Sequence, residues 1–110
     1  MADPAPTIST HVLDTGLGRP AAGVSVTLYR LGEDGRPLRV SQALTDGDGR
    51  IADLLGRPLV PGEYRIRFDV ADRGKFFSAV SIDLRVDDPR RSYHVPLLLA
   101  PFGLTTYRGT

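Results

Sequence analysis

The chain has no cysteine and no tryptophan. Disulfides, thiolate catalysis and cysteine metal sites are therefore excluded, while the redox compartment stays open. Lysine is nearly absent too: Lys75 stands alone, and arginine supplies the other basic residues. With 14 basic and 13 acidic residues the net charge is +1, and no run of like charge marks a tail. Such a chain has no long-range field for nucleic acid or an anionic membrane, and neither partner is expected. No apolar stretch approaches the ~20 residues that span a bilayer. Met1 to Thr7 is polar and proline-bearing, without the apolar run of a secretory signal. The expectation is a cytoplasmic protein with a flexible tail, 1–7, ahead of one domain, 8–110. A chain of 110 residues can bury one modest core but is mostly surface. An active site would lie in a surface groove or between subunits.

What is present is strand periodicity. Val24, Val26 and Leu28 alternate with polar residues, as do Tyr64, Ile66, Phe68 and Val70, and Val80, Ile82, Leu84 and Val86. Successive strand side chains point to opposite faces, so each run has one buried and one polar face. Asp34-Gly35, Asp46-Gly47, Asp48-Gly49 and Pro61-Gly62 separate the runs with the chemistry of tight turns. Eight strands are predicted near 8–14, 24–31, 38–44, 50–54, 63–70, 80–86, 93–100 and 103–109. The pattern is all-β, an antiparallel sandwich or barrel. Only Ala71 to Phe77 leaves room for a helix, of about two turns.

The run Tyr93 to Ala100 departs from the pattern. Tyr93, Val95, Leu97 and Leu99 form its core parity, but the other parity carries His94, Pro96 and Leu98, which is not a typical solvated face. Pro96 has no N–H, which argues for an edge or irregular position. Either a loop covers this face or another subunit does, with His94 lining the contact.

His11 and His94 are the two histidines. Imidazole suits proton transfer near neutral pH, although a strand histidine is more often a structural hydrogen-bonder. No close cluster offers the three ligands a zinc site wants, so no metal and no cofactor are expected. Arg50 closes the turn Thr45-Asp46-Gly47-Asp48-Gly49-Arg50, a place where arginine is usually just solvated. Asp46 and Asp48 resemble part of a calcium loop, but the terminal acidic ligand and the flanking helices are missing. The adjacent Asp87 and Asp88 read as solvated turn residues. A nucleophile elbow, a P-loop and a dinucleotide fingerprint are all absent.

Three separated segments together resemble the 5-hydroxyisourate hydrolase family of transthyretin-like proteins. The first is Ile8-Ser9-Thr10-His11-Val12-Leu13-Asp14-Thr15, followed by Gly18-Arg19-Pro20-Ala21-Ala22-Gly23. The second is Asp48-Gly49-Arg50. The third is Tyr93-His94-Val95-Pro96-Leu97-Leu98-Leu99-Ala100-Pro101-Phe102-Gly103, closing with Tyr107-Arg108-Gly109-Thr110. The likeness runs from about residue 8 to 110. The chain departs from the family pattern at Thr110, where serine is usual, and at Ser78, Ser92 and Leu104.

The resemblance implies a transthyretin-like (prealbumin-like) sandwich of two four-stranded sheets with one short helix. It implies a homotetramer, a dimer of dimers, with sites between dimers. It implies hydrolysis of a small-molecule substrate, 5-hydroxyisourate, to 2-oxo-4-hydroxy-4-carboxy-5-ureidoimidazoline in urate degradation, a branch of purine metabolism. His11, Arg50, His94 and Thr110 would be catalytic. His11, Arg50 and Tyr107 would bind substrate, with Asp14 and Arg108 as support. His11 is assigned as the base that activates water, an assignment His94 could exchange, and His94 could protonate the leaving nitrogen. Asp14 lies three residues on, so an extended strand would turn it away from His11. The alternative is a non-catalytic transthyretin-like carrier of a small hormone-type ligand. Such carriers lack the two histidines and the Tyr-Arg-Gly-Ser/Thr end. A prealbumin-like adhesion or spacer module would also lack that end.

Overall fold

The computed structural model describes residues 5–110, so residues 1–4 of the expected tail lie outside the described part. Thr7 is already tied down. Its N–H donates to Ser92 Oγ at 3.1 Å and its carbonyl accepts from Tyr93 N at 2.8 Å.

The described residues form nine strands: β1 (Ile8–Asp14), β2 (Arg19–Pro20), β3 (Ser25–Leu31), β4 (Pro37–Leu44), β5 (Arg50–Ile51), β6 (Gly62–Asp69), β7 (Ala79–Val86), β8 (Tyr93–Leu99) and β9 (Leu104–Thr106). All eight expected strands form, and the two-residue β2 is added. One sheet has the order β4-β3-β6-β7. The other runs β2-β1-β8-β9, with β5 also on β1. It exceeds four strands because β2 and β5 share the free edge of β1, at Leu13–Asp14 and Thr10–His11 respectively.

The predicted inward parities fill the space between the sheets. Ile8, Val12, Val26, Leu28, Tyr64, Ile66, Phe68, Leu97 and Leu99 are almost wholly buried. Truncating Phe68 to alanine would cost about 3–5 kcal/mol, from lost burial and the cavity left behind. Val80, Ile82 and Leu84 point inward but are only partly buried, because β7 ends its sheet.

Two expectations are corrected. First, β1 and β8 run parallel, while every other pair is antiparallel. Alternation records which face a residue takes, not which way its neighbour runs. Second, residues 71–77 form turns instead of a helix. Val70 N–H donates to Ser78 O at 3.0 Å, closing a short β6–β7 connection. Arg73 and Gly74 then both donate to Val70 O. The span is consumed by closing the loop, and Gly74 is a poor helix former.

Candidate active site

Regular alternation along β1 sends Ser9, His11 and Leu13 to the outer face of their sheet, all half-buried. Along β8 the outer face carries His94, Pro96 and Leu98. The parallel ladder pairs Ser9 with His94, His11 with Pro96 and Leu13 with Leu98. The two histidines are therefore diagonal neighbours on one face. Strand spacing and rise put their Cα atoms ~8 Å apart.

Arg50 reaches this face through its turn. Thr45 is buried and pinned: its Oγ1 accepts from Val24 N at 2.9 Å and donates to Ala21 O at 2.6 Å. Asp46 Oδ1 then accepts the N–H groups of Asp48 and Arg50, both at 2.9 Å. Asp46 thus organises the turn through backbone bonds. Gly49 closes it at φ 76°, where a Cβ would stand 2.4 Å from the carbonyl oxygen of Val12. Only glycine lets the turn lie this close to β1. Arg50 emerges as the Cα partner of His11, on the same face and exposed.

Pro96 controls the other side. Gly109 N–H donates to His94 O at 2.8 Å, so alternate residues of β8, Pro96 among them, turn their backbone groups toward β9. Pro96 cannot donate there. The β8–β9 ladder accordingly ends at Leu97–Thr106 and resumes as a single His94–Gly109 bridge in the same register. Thr106 Oγ1 donates to Pro96 O at 2.8 Å, serving the carbonyl left over. The expected irregularity is real, but β8 is central and the break falls on its neighbour. The predicted strand 103–109 is interrupted at residues 107–108 for this reason.

Gly109 also packs against the imidazole: a Cβ there would stand 2.6 Å from His94 Cδ2. On the opposite ring edge, Ser9 Oγ lies 2.8 Å from Nδ1. Burial, then His11, then Arg50, hold the His94 pKa below its ordinary value. The neutral form of this histidine is therefore favoured.

His11, Arg50 and His94 are brought together, and Thr110 follows directly on the bridged Gly109. Asp14 is not brought in. It is buried on the inner parity of β1, and its Oδ1 accepts from Leu17 N at 3.0 Å. Arg108 also turns away. Its guanidinium lies 4.5 Å from the centre of the Tyr93 ring, on the face opposite His94. That ring's hydroxyl donates to Asp87 Oδ1 at 3.0 Å, so Asp87 is engaged instead of merely solvated. Tyr107 and Arg108 line an apolar groove of about 340 Å³ with Ile82, Leu84, Tyr93 and Val95. This groove lies at the open edge between the sheets, not at the histidines. Among the described residues, no three His, Asp or Glu side chains converge as a metal site requires.

Sequence reasoning missed Ser9 and Gly109. Ser9 shares the parity of His11, but nothing local pairs it with His94. Gly109 sits in the terminal motif, where glycine alone does not signal that a ring packs on it.

Fold and site together define a transthyretin-type β-sandwich with paired histidines and an arginine on the outer face of one sheet. Residues 8–109 match the model of the HIUase/Transthyretin family, and the chain belongs to that family. It is 38% identical to a 5-hydroxyisourate hydrolase of Halalkalibacterium halodurans, over 94% of this chain and 97% of that protein. The solved structure of Klebsiella pneumoniae 5-hydroxyisourate hydrolase superposes with a TM-score of 0.80 at 37% identity, over 94% of this chain and 99% of that one. Sea bream transthyretin in complex with thyroxine superposes with a TM-score of 0.85 at 25% identity, over 94% of each chain.

Proposed function

We propose that this protein hydrolyses 5-hydroxyisourate to 2-oxo-4-hydroxy-4-carboxy-5-ureidoimidazoline, opening a cyclic amide in urate degradation. One observation carries the reading: His11, Arg50 and His94 converge on one face in a chain similar over nearly its whole length to proteins named for that activity. The carrier reading has the likeness to transthyretin in its favour, but it leaves that convergence without a use.

Water is a weak nucleophile at neutral pH and needs a base. His11 takes a proton from water as the water oxygen bonds to the ring carbonyl carbon and the carbonyl electron pair moves onto oxygen. Arg50 faces the anionic substrate and the charge on that oxygen, a role suited to a fixed guanidinium. When the pair returns, the C–N bond breaks, and the nitrogen leaves with the proton His11 had taken. His94 hydrogen-bonds the reacting groups. Thr110 supplies a hydroxyl beside it, while Tyr107, on the groove away from the histidines, is given no part in the step.

The same reading makes the protein a homotetramer, a dimer of dimers, with its sites between dimers. In support, the histidine face also carries Leu13, Pro96 and Leu98, and the adjoining loops expose Leu17 at 58% and Phe102 at 70%. Apolar groups around an open site favour burial against another subunit.

The test is to generate 5-hydroxyisourate from urate with urate oxidase and follow its ultraviolet decay. Faster decay with the protein present is expected. A rate equal to spontaneous hydrolysis would reject the function. Light scattering reads the assembly, and a monomer at assay concentration would reject the shared site.

A further inference from the structure

The His94 ring is held on two sides and free on a third. Ser9 meets it across the parallel ladder, Oγ to Nδ1 at 2.8 Å. Gly109 closes the Cδ2 side, with its backbone bridged to His94 at 2.8 Å. Among the described residues Nε2 makes no hydrogen bond, and it is the ring atom left for substrate.

Proton accounting decides what Nε2 offers. A neutral imidazole carries one N–H, and the nitrogen that bears it follows from the bond the other nitrogen makes. Among the described residues, His94 Nδ1 is the only hydrogen-bond partner of the Ser9 side chain. If Nδ1 bore the proton, Ser9 would accept it, and the serine's own proton would find no protein acceptor. If Ser9 donates instead, both groups are satisfied and the histidine proton stands on Nε2. The charged form is opposed by burial and by two groups facing the ring from neighbouring elements, His11 on β1 and Arg50 on β5. Thr110, beyond β9, is the remaining neighbour along the chain.

We propose that Ser9 is a positioning residue that donates to His94 Nδ1 and fixes the Nε2–H tautomer, so that His94 donates a hydrogen bond to the substrate carbonyl oxygen. A neutral imidazole N–H can polarise a carbonyl without giving up its proton. His94 therefore starts and ends the cycle neutral. The proton taken from water and delivered to the leaving nitrogen is carried by His11 alone. This deepens the hydrolase reading and rests on it for the substrate, although the tautomer itself does not.

The experiment is long-range proton–nitrogen NMR of the histidine rings in the wild-type protein, which needs no variant and no substrate. The expected His94 signals are a protonated Nε2 and an unprotonated, hydrogen-bonded Nδ1. Protonated Nδ1 would overturn the proposal. In Ser9→Ala the tautomer should become mixed and kcat should fall about tenfold, the scale of one lost hydrogen bond, with KM little changed. Ser9→Thr, which keeps the hydroxyl, should restore both. An unchanged tautomer and kcat in Ser9→Ala would overturn the positioning role, as would loss without rescue in a folded Ser9→Thr. A wild-type protein that shows the expected tautomer but does not accelerate 5-hydroxyisourate decay would reject the hydrolase reading and, with it, the role at the carbonyl, leaving the tautomer standing.

Discussion

Arg50 stands directly opposite His11 across the β1–β5 ladder, so the cation and the imidazole leave the same face of the sheet. Arg50 also helps hold the His94 pKa down, after burial and His11. Replacing it with glutamine removes a positive charge, and the His94 pKa should rise toward its ordinary 6.5. Proton NMR titration of the ring measures this, and an identical midpoint in wild type and variant would show that no coupling exists. Turnover should also fall about 10²-fold or more, as when one oxyanion donor is lost.

His11→Ala and His94→Ala should each lower kcat/KM by about 10²- to 10⁴-fold, the range for a general base or a preorganised donor. Both side chains lie on the outer face, so neither change opens the core, and circular dichroism should stay native. Near-native turnover in both variants would sink the mechanism.

Gly109→Ala tests the ring clamp. The added Cβ would stand 2.6 Å from His94 Cδ2, and the ring or the terminal segment must shift. Crowding of this kind costs about 1–3 kcal/mol. Activity should drop at least tenfold, and the melting temperature should fall by several degrees, the scale of that cost in a domain of this size. Thr110→Ser keeps the hydroxyl and should stay close to wild type in the same assay.

Acid should weaken the fold through His94. Its folded pKa is lowered, so below the unfolded value the unfolded chain binds the proton more readily. The stabilisation from the neutral form is complete above about pH 6.5 and is lost as pH falls from there toward the folded pKa. Urea unfolding of wild type and His94→Gln at pH 7.5 and 5.5 checks it. Wild type should lose more stability between the two than the variant.

Pro96→Ala supplies the N–H that β8 lacks toward β9. The ladder should then continue through residues 107–108, and the Tyr107 amide should exchange more slowly with deuterium. Unchanged exchange would mean that something other than the proline opens this edge.

Most of the sandwich could be read from alternation. Tyr64, Ile66, Phe68 and Val70 are buried as their parity required, because a strand's two faces are a local property of the backbone. The turn before Arg50 was likewise visible, since Asp-Gly pairs state their own geometry. The missing helix was not visible, because residues 71–77 are committed by a bond between Val70 and Ser78 that lies outside them.

The site divides along the same line. Local sequence put His11 and His94 on outward faces and left Pro96 as a visible anomaly. The motif resemblance joined them to Arg50 and named the chemistry. That Ser9 meets His94 was settled only when β1 and β8, about 85 residues apart, lay side by side in parallel; Arg50 meets His11 through the β1–β5 pair, and Arg108 turns to the Tyr93 ring. Backbone hydrogen bonds are the same for any partner, so a strand cannot specify its neighbour or register alone. Packing of the whole chain does that. The sequence by itself determined which residues face outward, and the tertiary structure determined which of them touch.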